Sequence, residues 1–341
     1  MTDVTELVIN RPGEVLYEQG PVWQRASIPE LTLDRLNALT RAIATCSEQE
    51  ISPRHPILSA TLPDGQRVQI IVPPAVEAGQ ISLTIRLPGS TIRTLEDYQS
   101  EGAFDRFRWA VPETDGGRLS PAERELLSLL SSRDLKGFLL AAVGARCNLA
   151  IVGDTGSGKT TLMKTVCQHI PVEDRIVTIE DVREIDLPAH QNKVHLLYSR
   201  GGQGTARVTP GDLIASNMRM RPDRVLLAEL RGSEAFDYLK LLTTGHSGSV
   251  TSYHAESCAL AVERYVLMAR EHPDAAIFDA GGLRRLVSLT LDVIVHMRSQ
   301  VVRRADGSLS KTRYVAEVYY NPIAKHRAPF EHQPLTRGAS E

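Results

Sequence analysis

The chain has 341 residues, with 39 lysines and arginines against 41 aspartates and glutamates and a formal net charge of −2. That length accommodates two domains of ordinary size, and the near-neutral balance excludes a protein that grips duplex nucleic acid by bulk charge alone. The four cysteines, Cys46, Cys147, Cys167 and Cys258, lie far apart with no C-x-x-C pair, which suggests neither a disulfide framework nor a zinc site and fits a reducing cytosol.

Acids occupy the amino terminus where a signal peptide carries lysines, and no segment approaches roughly 18 uninterrupted apolar residues, so neither a leader nor a membrane span is expected. Residues 1–97 read as a small mixed α/β domain. Apolar residues at 31, 33, 36, 39 and 43 predict a helix over Leu31–Ala44, with Thr32 or Asp34 as its cap. Ile57–Leu62 and Gln66–Val72 flank Asp64-Gly65 and predict a hairpin, on which the helix packs. Ile81–Ile85 alternates as a third strand and delivers Arg86 at its end. Residues 98–120 turn charged and Gly-containing and read as a linker. Ser120-Pro121-Ala122-Glu123 then carries a helix cap, a proline at the first helical position and a glutamate three residues after the cap, which opens a second domain over 121–330. Residues 331–341 read as a loose tail.

From Leu149 onward apolar strands alternate with helical patterns: 149–152, 175–179, 194–198, 224–228 and 249–252, with helices from 159, from Thr209, over 233–242 and from Glu256. Such alternation predicts a mostly parallel sheet covered on both faces, with ligands at the carboxyl ends of its strands. Val293–Met297 and Tyr314–Tyr319 flank an Asp306-Gly307 turn and predict an edge hairpin. The fold class is therefore α/β, a larger domain with a mostly parallel sheet behind a smaller mixed α/β one.

Gly153-Asp154-Thr155-Gly156-Ser157-Gly158-Lys159-Thr160 satisfies G-x-x-x-x-G-K-[ST] between a strand and a helix, and Thr161 continues the first turn. Clusters of Gly, Ser and Thr ordinarily mark turns; the strand before and the helix after raise this one above that. Glycines let the backbone amides curl around phosphate oxygens, and the helix start adds free donors. Lys159 would reach the β and γ phosphates of a nucleoside triphosphate, and Thr160 would place its hydroxyl on Mg2+. Two acidic clusters follow strands: Glu180, Asp181 and Glu184 after Ile179, and Glu229 after Ala228. Small residues surround His246 and His254, allowing the backbone to approach a phosphate, and no H-E-x-x-H pattern suggests a metal site of another kind. Arg207, Arg219, Arg221 and Arg231 crowd the same stretch, and arginine binds phosphoryl oxygens bidentately.

The Gly153–Thr161 loop, the run Ile179-Glu-Asp-Val-Arg-Glu-Ile185, the run Arg219-Met-Arg-Pro-Asp-Arg-Val-Leu-Leu-Ala-Glu-Leu-Arg-Gly232 and the run Thr244-Gly-His-Ser-Gly-Ser-Val-Thr-Ser-Tyr-His-Ala255 resemble the Walker A, Asp-box, Walker B and His-box motifs of the type II/type IV secretion ATPases. Within that superfamily the Arg219–Arg224 run and the strand end at Arg86 resemble the hexameric traffic ATPases of type IV secretion, or conjugation, systems. The likeness is strong over about residues 145–300 and weaker over 1–110. It implies a RecA-like ATPase domain behind a smaller N-terminal domain, a homo-hexameric ring, ATP and Mg2+ as ligands, and peripheral attachment to the cytoplasmic face of the bacterial inner membrane beside the components of a secretion apparatus.

Carried over by motif, the resemblance gives Gly153–Thr161 and Lys159 to the nucleotide, and Thr160, Glu229 and Asp181 to the metal. Glu184 becomes the acid that positions water, supported by Glu180; His246 and His254 become γ-phosphate sensors; Arg86, Arg207 and Arg231 become further nucleotide contacts. Val182-Arg183 departs from the smaller or proline-containing pair expected in the Asp box. The implied function is an ATP-hydrolysing motor that powers pilus biogenesis or substrate export, with no sequence-specific nucleic-acid binding. Its rivals are a pilus-retraction or type II secretion ATPase, disfavoured by the missing cysteine module and the Arg219–Arg224 run, and a nucleotide-gated adaptor that docks secretion substrate with little turnover, disfavoured by intact Lys159, Glu184 and Glu229. A DNA-translocating motor is disfavoured by the charge balance and the lack of a basic aromatic stripe.

Overall fold

The computed structural model describes residues 4–88, 92–110, 119–198, 208–304 and 306–327. Its first sheet contains β1 (Val4–Ile9), β2 (Glu14–Gln19), β3 (Val22–Ser27), β4 (Ile57–Thr61), β5 (Arg67–Ile71) and β6 (Ser82–Arg86), with α1 (Leu33–Cys46) between β3 and β4. The order is β3-β2-β1-β6-β5-β4, and every pairing is antiparallel. The Thr32 side chain caps α1 by accepting from the Arg35 amide. Leu36 and Ile43 on that helix meet Leu58, Ile70 and Leu83 from the sheet, so the expected helix-on-hairpin contact is the core of this unit. The first three strands were not foreseen. Most of their residues keep some exposure on both faces, so the apolar alternation that betrays a half-buried strand is missing.

The second sheet gathers β7 (Arg108–Ala110), β8 (Leu149–Gly153), β9 (Ile176–Glu180), β10 (Lys193–Leu197), β11 (Arg224–Leu227), β12 (Val250–Tyr253), β13 (Val293–Arg303) and β14 (Leu309–Tyr320) in the order β10-β9-β11-β12-β8-β13-β14-β7. Only β13 and β14 pair antiparallel. The helices are α2 (Leu95–Ser100), α3 (Pro121–Ser131), α4 (Leu135–Gly144), α5 (Lys159–Cys167), α6 (Pro210–Asn217), α7 (Glu234–Leu242), α8 (Cys258–Ala269), α9 (Ala280–Thr290) and α10 (Pro322–Arg327). Alternate residues of β8 enter opposite cores: Leu149 and Ile151 join Phe138, Leu162 and Val166 on one face, while Ala150 and Val152 join Leu239, Tyr265 and Leu283 on the other. A strand buried on both faces must be apolar throughout, which is why Leu149–Val152 reads as an unbroken run.

Two expectations are corrected. The stretch from residue 98 is not a bare linker, because Leu95, Tyr98, Ala103, Phe104 and Phe107 are buried in the core of the larger sheet and β7 pairs with β14. Residues 111–118 of that segment, and the tail 331–341, lie outside the described residues. The late hairpin is not at the sheet's edge either. β13 lies directly beside the phosphate-loop strand β8, and β7 covers the outer side of β14. Polar residues past Met297 had shortened both strands to their buried halves.

Arg224, the first residue of β11, is 1% exposed. Its Nε donates to Asp174 Oδ2 at 2.6 Å and its guanidinium also donates to the Val143 carbonyl at 2.9 Å, tying the amino end of the sheet to α4. Arg224→Ala leaves the buried Val143 carbonyl without this donor and Asp174 with Arg146 alone, so it is expected to lose roughly 1–3 kcal/mol of stability. A urea titration checks this, and a midpoint equal to that of the unaltered chain contradicts it.

Candidate active site

Between β8 and α5 the chain turns through Gly153–Gly158. Gly153 takes φ +149° and Gly158, the residue before α5, takes φ +93°, both in the region where side chains are strained. A Cβ at Gly153 would also collide with the carbonyl of Met297 on the neighbouring strand. Lys159 starts α5 and is only 7% exposed. Its ammonium donates to the Asp154 carbonyl at 2.9 Å and lies 3.4 Å from His254 Nδ1. Burial pushes the Lys159 pKa below its ordinary value; the charges of Glu229 and Asp154 work against that shift, and Arg86 adds to it by repulsion. Arg86, exposed at the end of β6 in the smaller sheet, thus acts on the Lys159 charge through space.

Glu229 stands two residues beyond β11. One carboxylate oxygen lies 3.0 Å from His254 Nε2 and the other receives Arg231. His254 follows β12 immediately, so Lys159, His254, Glu229 and Arg231 form a continuous polar chain across the carboxyl ends of β8, β12 and β11.

The Asp-box acids divide. Glu180 is fully buried: one oxygen accepts the amides of Glu184 and Ile185 at 2.7 and 2.8 Å, and the other accepts the Thr178 hydroxyl at 2.7 Å. This corrects its expected place among the catalytic groups, because one oxygen is spent holding the turn that presents Glu184 and the other on the Thr178 hydroxyl of its own strand. Asp181 and Glu184 face the smaller sheet instead. Arg67 pairs with both, at 3.3 Å to Asp181 and more closely to Glu184, while Lys164 of α5 lies 3.8 Å from Glu184. Arg67 was missed in the sequence. It sits opposite Arg86 in the β5–β6 register, and only that long-range pairing brings it to the acids.

His246 is also corrected. β12 runs parallel to β8, so His254 after it lies at the phosphate-loop edge, while His246 before it lies at the amino edge on the far side of the sheet. There it is 3.3 Å from the Thr244 hydroxyl. Arg219 and Arg221 precede β11 and share that far edge. Arg207 lies outside the described residues.

Among the described residues no group of three or more His, Cys, Asp or Glu side chains could hold a metal ion. The Thr160 hydroxyl and the Glu229 carboxylate are nevertheless hard oxygen donors next to a phosphate cradle. That fits magnesium, which keeps most of its positions for phosphate and water. Asp181, expected as a metal ligand, is instead engaged by Arg67.

A family model for the Type II/IV secretion system protein matches residues 123–329. The Type IV secretion system protein VirB11 of Brucella suis biovar 1 is 43% identical over 335 residues, covering 98% of this chain and 90% of that protein. A Type IV secretion system protein PtlH homolog of Bordetella bronchiseptica is 42% identical over 319 residues, covering 93% and 90%. Among solved structures, the VirB11 ATPase from the Brucella suis type IV secretion system, in complex with sulphate, matches with 43% identity and a TM-score of 0.54 over 96% of this chain and 95% of that one. The pilus retraction motor PilT with bound ADP matches with 15% identity and a TM-score of 0.56 over 95% and 82%, a likeness of fold alone.

The Lys159 environment carries a pH signature. A polyphosphate seated on the loop favours the charged ammonium and raises the depressed pKa, so at alkaline pH binding takes up protons. Calorimetry of anion binding in two buffers of different ionisation enthalpy should give different heats, and identical heats would contradict the assignment.

Proposed function

The chain belongs to the Type II/IV secretion system protein family, and from that premise we propose that it is an ATP-hydrolysing motor of a bacterial type IV secretion apparatus. The observation that carries this reading is the Lys159–His254–Glu229 chain beside a strand-loop-helix phosphate cradle. Identity of 42–43% over nearly the whole length with type IV secretion proteins, against 15% for the pilus retraction motor, favours this branch over retraction.

In this reading the amides of Gly153–Thr161 and the Lys159 ammonium take the β and γ phosphates. His254, between Lys159 and Glu229, senses the γ-phosphate and passes its presence to the carboxylate. Thr160 and Glu229 would hold Mg2+, which supplies charge neutralisation on the phosphates when bound. Glu184 positions the attacking water once it leaves Arg67, with Glu180 anchoring its backbone. Arg86 closes on the nucleotide from the smaller domain, and Arg231 restrains Glu229. Domain closure of this kind couples a small site to a large displacement. Six copies would form a ring that passes the motion to inner-membrane components. Among the described residues no helix is long and apolar enough to cross a membrane, so attachment to the inner face would be peripheral.

Steady-state phosphate release tests the reading directly. Lys159→Ala is expected to abolish turnover, and wild-type rates in that variant would sink it. Glu229→Gln should retain ATP yet hydrolyse it about a hundredfold more slowly or worse; failure to bind nucleotide would point to another role. Sedimentation with ATP should show a sixfold assembly, and a monomer at every concentration would favour a switch over a motor.

A further inference from the structure

Two cations beside the phosphate loop have no part in the chemistry above. β14 carries Lys311 and Arg313, two residues apart and so on one face of the strand. β14 is the second strand out from β8, on the side away from Glu229 and His254. Arg313 Nε donates to the Gly156 carbonyl at 3.0 Å. A Cβ built on Gly158 would stand 2.9 Å from Arg313 Cδ, and one on Gly156 would stand 3.0 Å from Lys311 Nζ. The arginine's stem thus covers one loop glycine and the lysine's ammonium covers the other. Both side chains are half-buried, and neither pairs with a carboxylate among the described residues. Two partly desolvated positive charges without a counter-charge are costly, and an anion on the loop relieves that cost.

The hydrogen bond to Gly156 has a further geometric effect. In a trans peptide the carbonyl and the next N–H point to opposite sides. Drawing the Gly156 carbonyl toward Arg313 therefore turns the Ser157 N–H to the inner side of the loop, where it donates to the Asp154 carbonyl at 3.2 Å. Lys159 Nζ converges on the same carbonyl at 2.9 Å. Two donors suited to phosphate thus share one backbone acceptor, and Arg313 sets the orientation of one of them.

We propose that the β13–β14 hairpin forms a second wall of the nucleotide site. Lys311 contacts the α and β phosphates on the flank opposite Glu229 and His254, and Arg313 is a positioning residue that holds the Gly156 peptide so that the Ser157 N–H faces the phosphates. This rests on the ATPase reading, and the test separates the two. ATP turnover, ADP affinity and the nucleotide-free melting temperature are measured on the full chain and on Lys311→Gln, Arg313→Gln and Arg313→Lys. Lys311→Gln should raise the KM for ATP and the Kd for ADP about tenfold, the loss of one charge-assisted contact, with kcat unchanged and the nucleotide-free melting temperature equal or higher, since an uncompensated charge is removed. Arg313→Gln should lower kcat as well as affinity. Arg313→Lys, which keeps a charged donor for the Gly156 carbonyl, should recover most of both. If the unaltered chain is active and Lys311→Gln leaves KM and ADP affinity untouched, the phosphate contact is overturned. An Arg313→Gln variant with wild-type kinetics, or one whose defect Arg313→Lys does not relieve, overturns the positioning role. An unaltered chain with neither ADP affinity nor ATP turnover overturns both the hairpin's role and the ATPase reading.

Discussion

The site depends on an ammonium held almost out of water. Lys159 at 7% exposure is tolerable only because its charge is answered on several sides at once. The Asp154 carbonyl accepts from it directly, and Glu229 acts on it with His254 between them. Each answering group is placed by a different strand: Asp154 follows β8, His254 follows β12 and Glu229 follows β11. The parallel register of those three neighbours makes their carboxyl ends coincide, so the constellation is a property of the sheet rather than of any one loop.

A second set of charges joins the two sheets. Arg67 and Arg86 sit opposite each other on β5 and β6, one holding Asp181 and Glu184 and the other acting on Lys159. These pairs are partly exposed, with Arg67 at 27% and Glu184 at 23% side-chain exposure. Ion pairs in such surroundings contribute about 0–1 kcal/mol each. The junction can therefore be remade with a small change in charge near the loop.

How much of this was legible in the sequence follows from the range of the interactions. Local signals held: the cap at Ser120 forms with its partner Glu123, a helix opens after Thr209, the Asp64-Gly65 reversal joins β4 to β5, and the glycine-rich loop sits between strand and helix as its spacing requires. Signals that need a polar face to be seen did not. α4, buried at Leu135, Phe138, Leu139, Ala142 and Val143, shows no clear apolar stripe because apolar residues fill most of its circumference. What lies between distant segments was invisible: β13 beside β8, Arg67 on the acids, and Arg313 on Gly156 all depend on pairings across more than about a hundred residues.

The motif around the two histidines shows why residue type alone misplaces function. Its small residues suggested close approach to phosphate, yet Ser249, Thr251 and Ser252 are 0–1% exposed inside β12 or at its start. The Ser252 hydroxyl donates to the Ala228 carbonyl at 2.7 Å. The Ser249 hydroxyl donates to the His246 carbonyl at 2.8 Å and accepts from the Val225 amide at 3.3 Å. Their smallness lets β12 fit between β8 and β11, and the two serine hydroxyls satisfy backbone groups that a short, buried strand would otherwise leave unpaired. The run is thus a strand with a histidine at each end. Because the strand spans the sheet, only the histidine at its carboxyl end, His254, can meet the phosphate loop of the same chain.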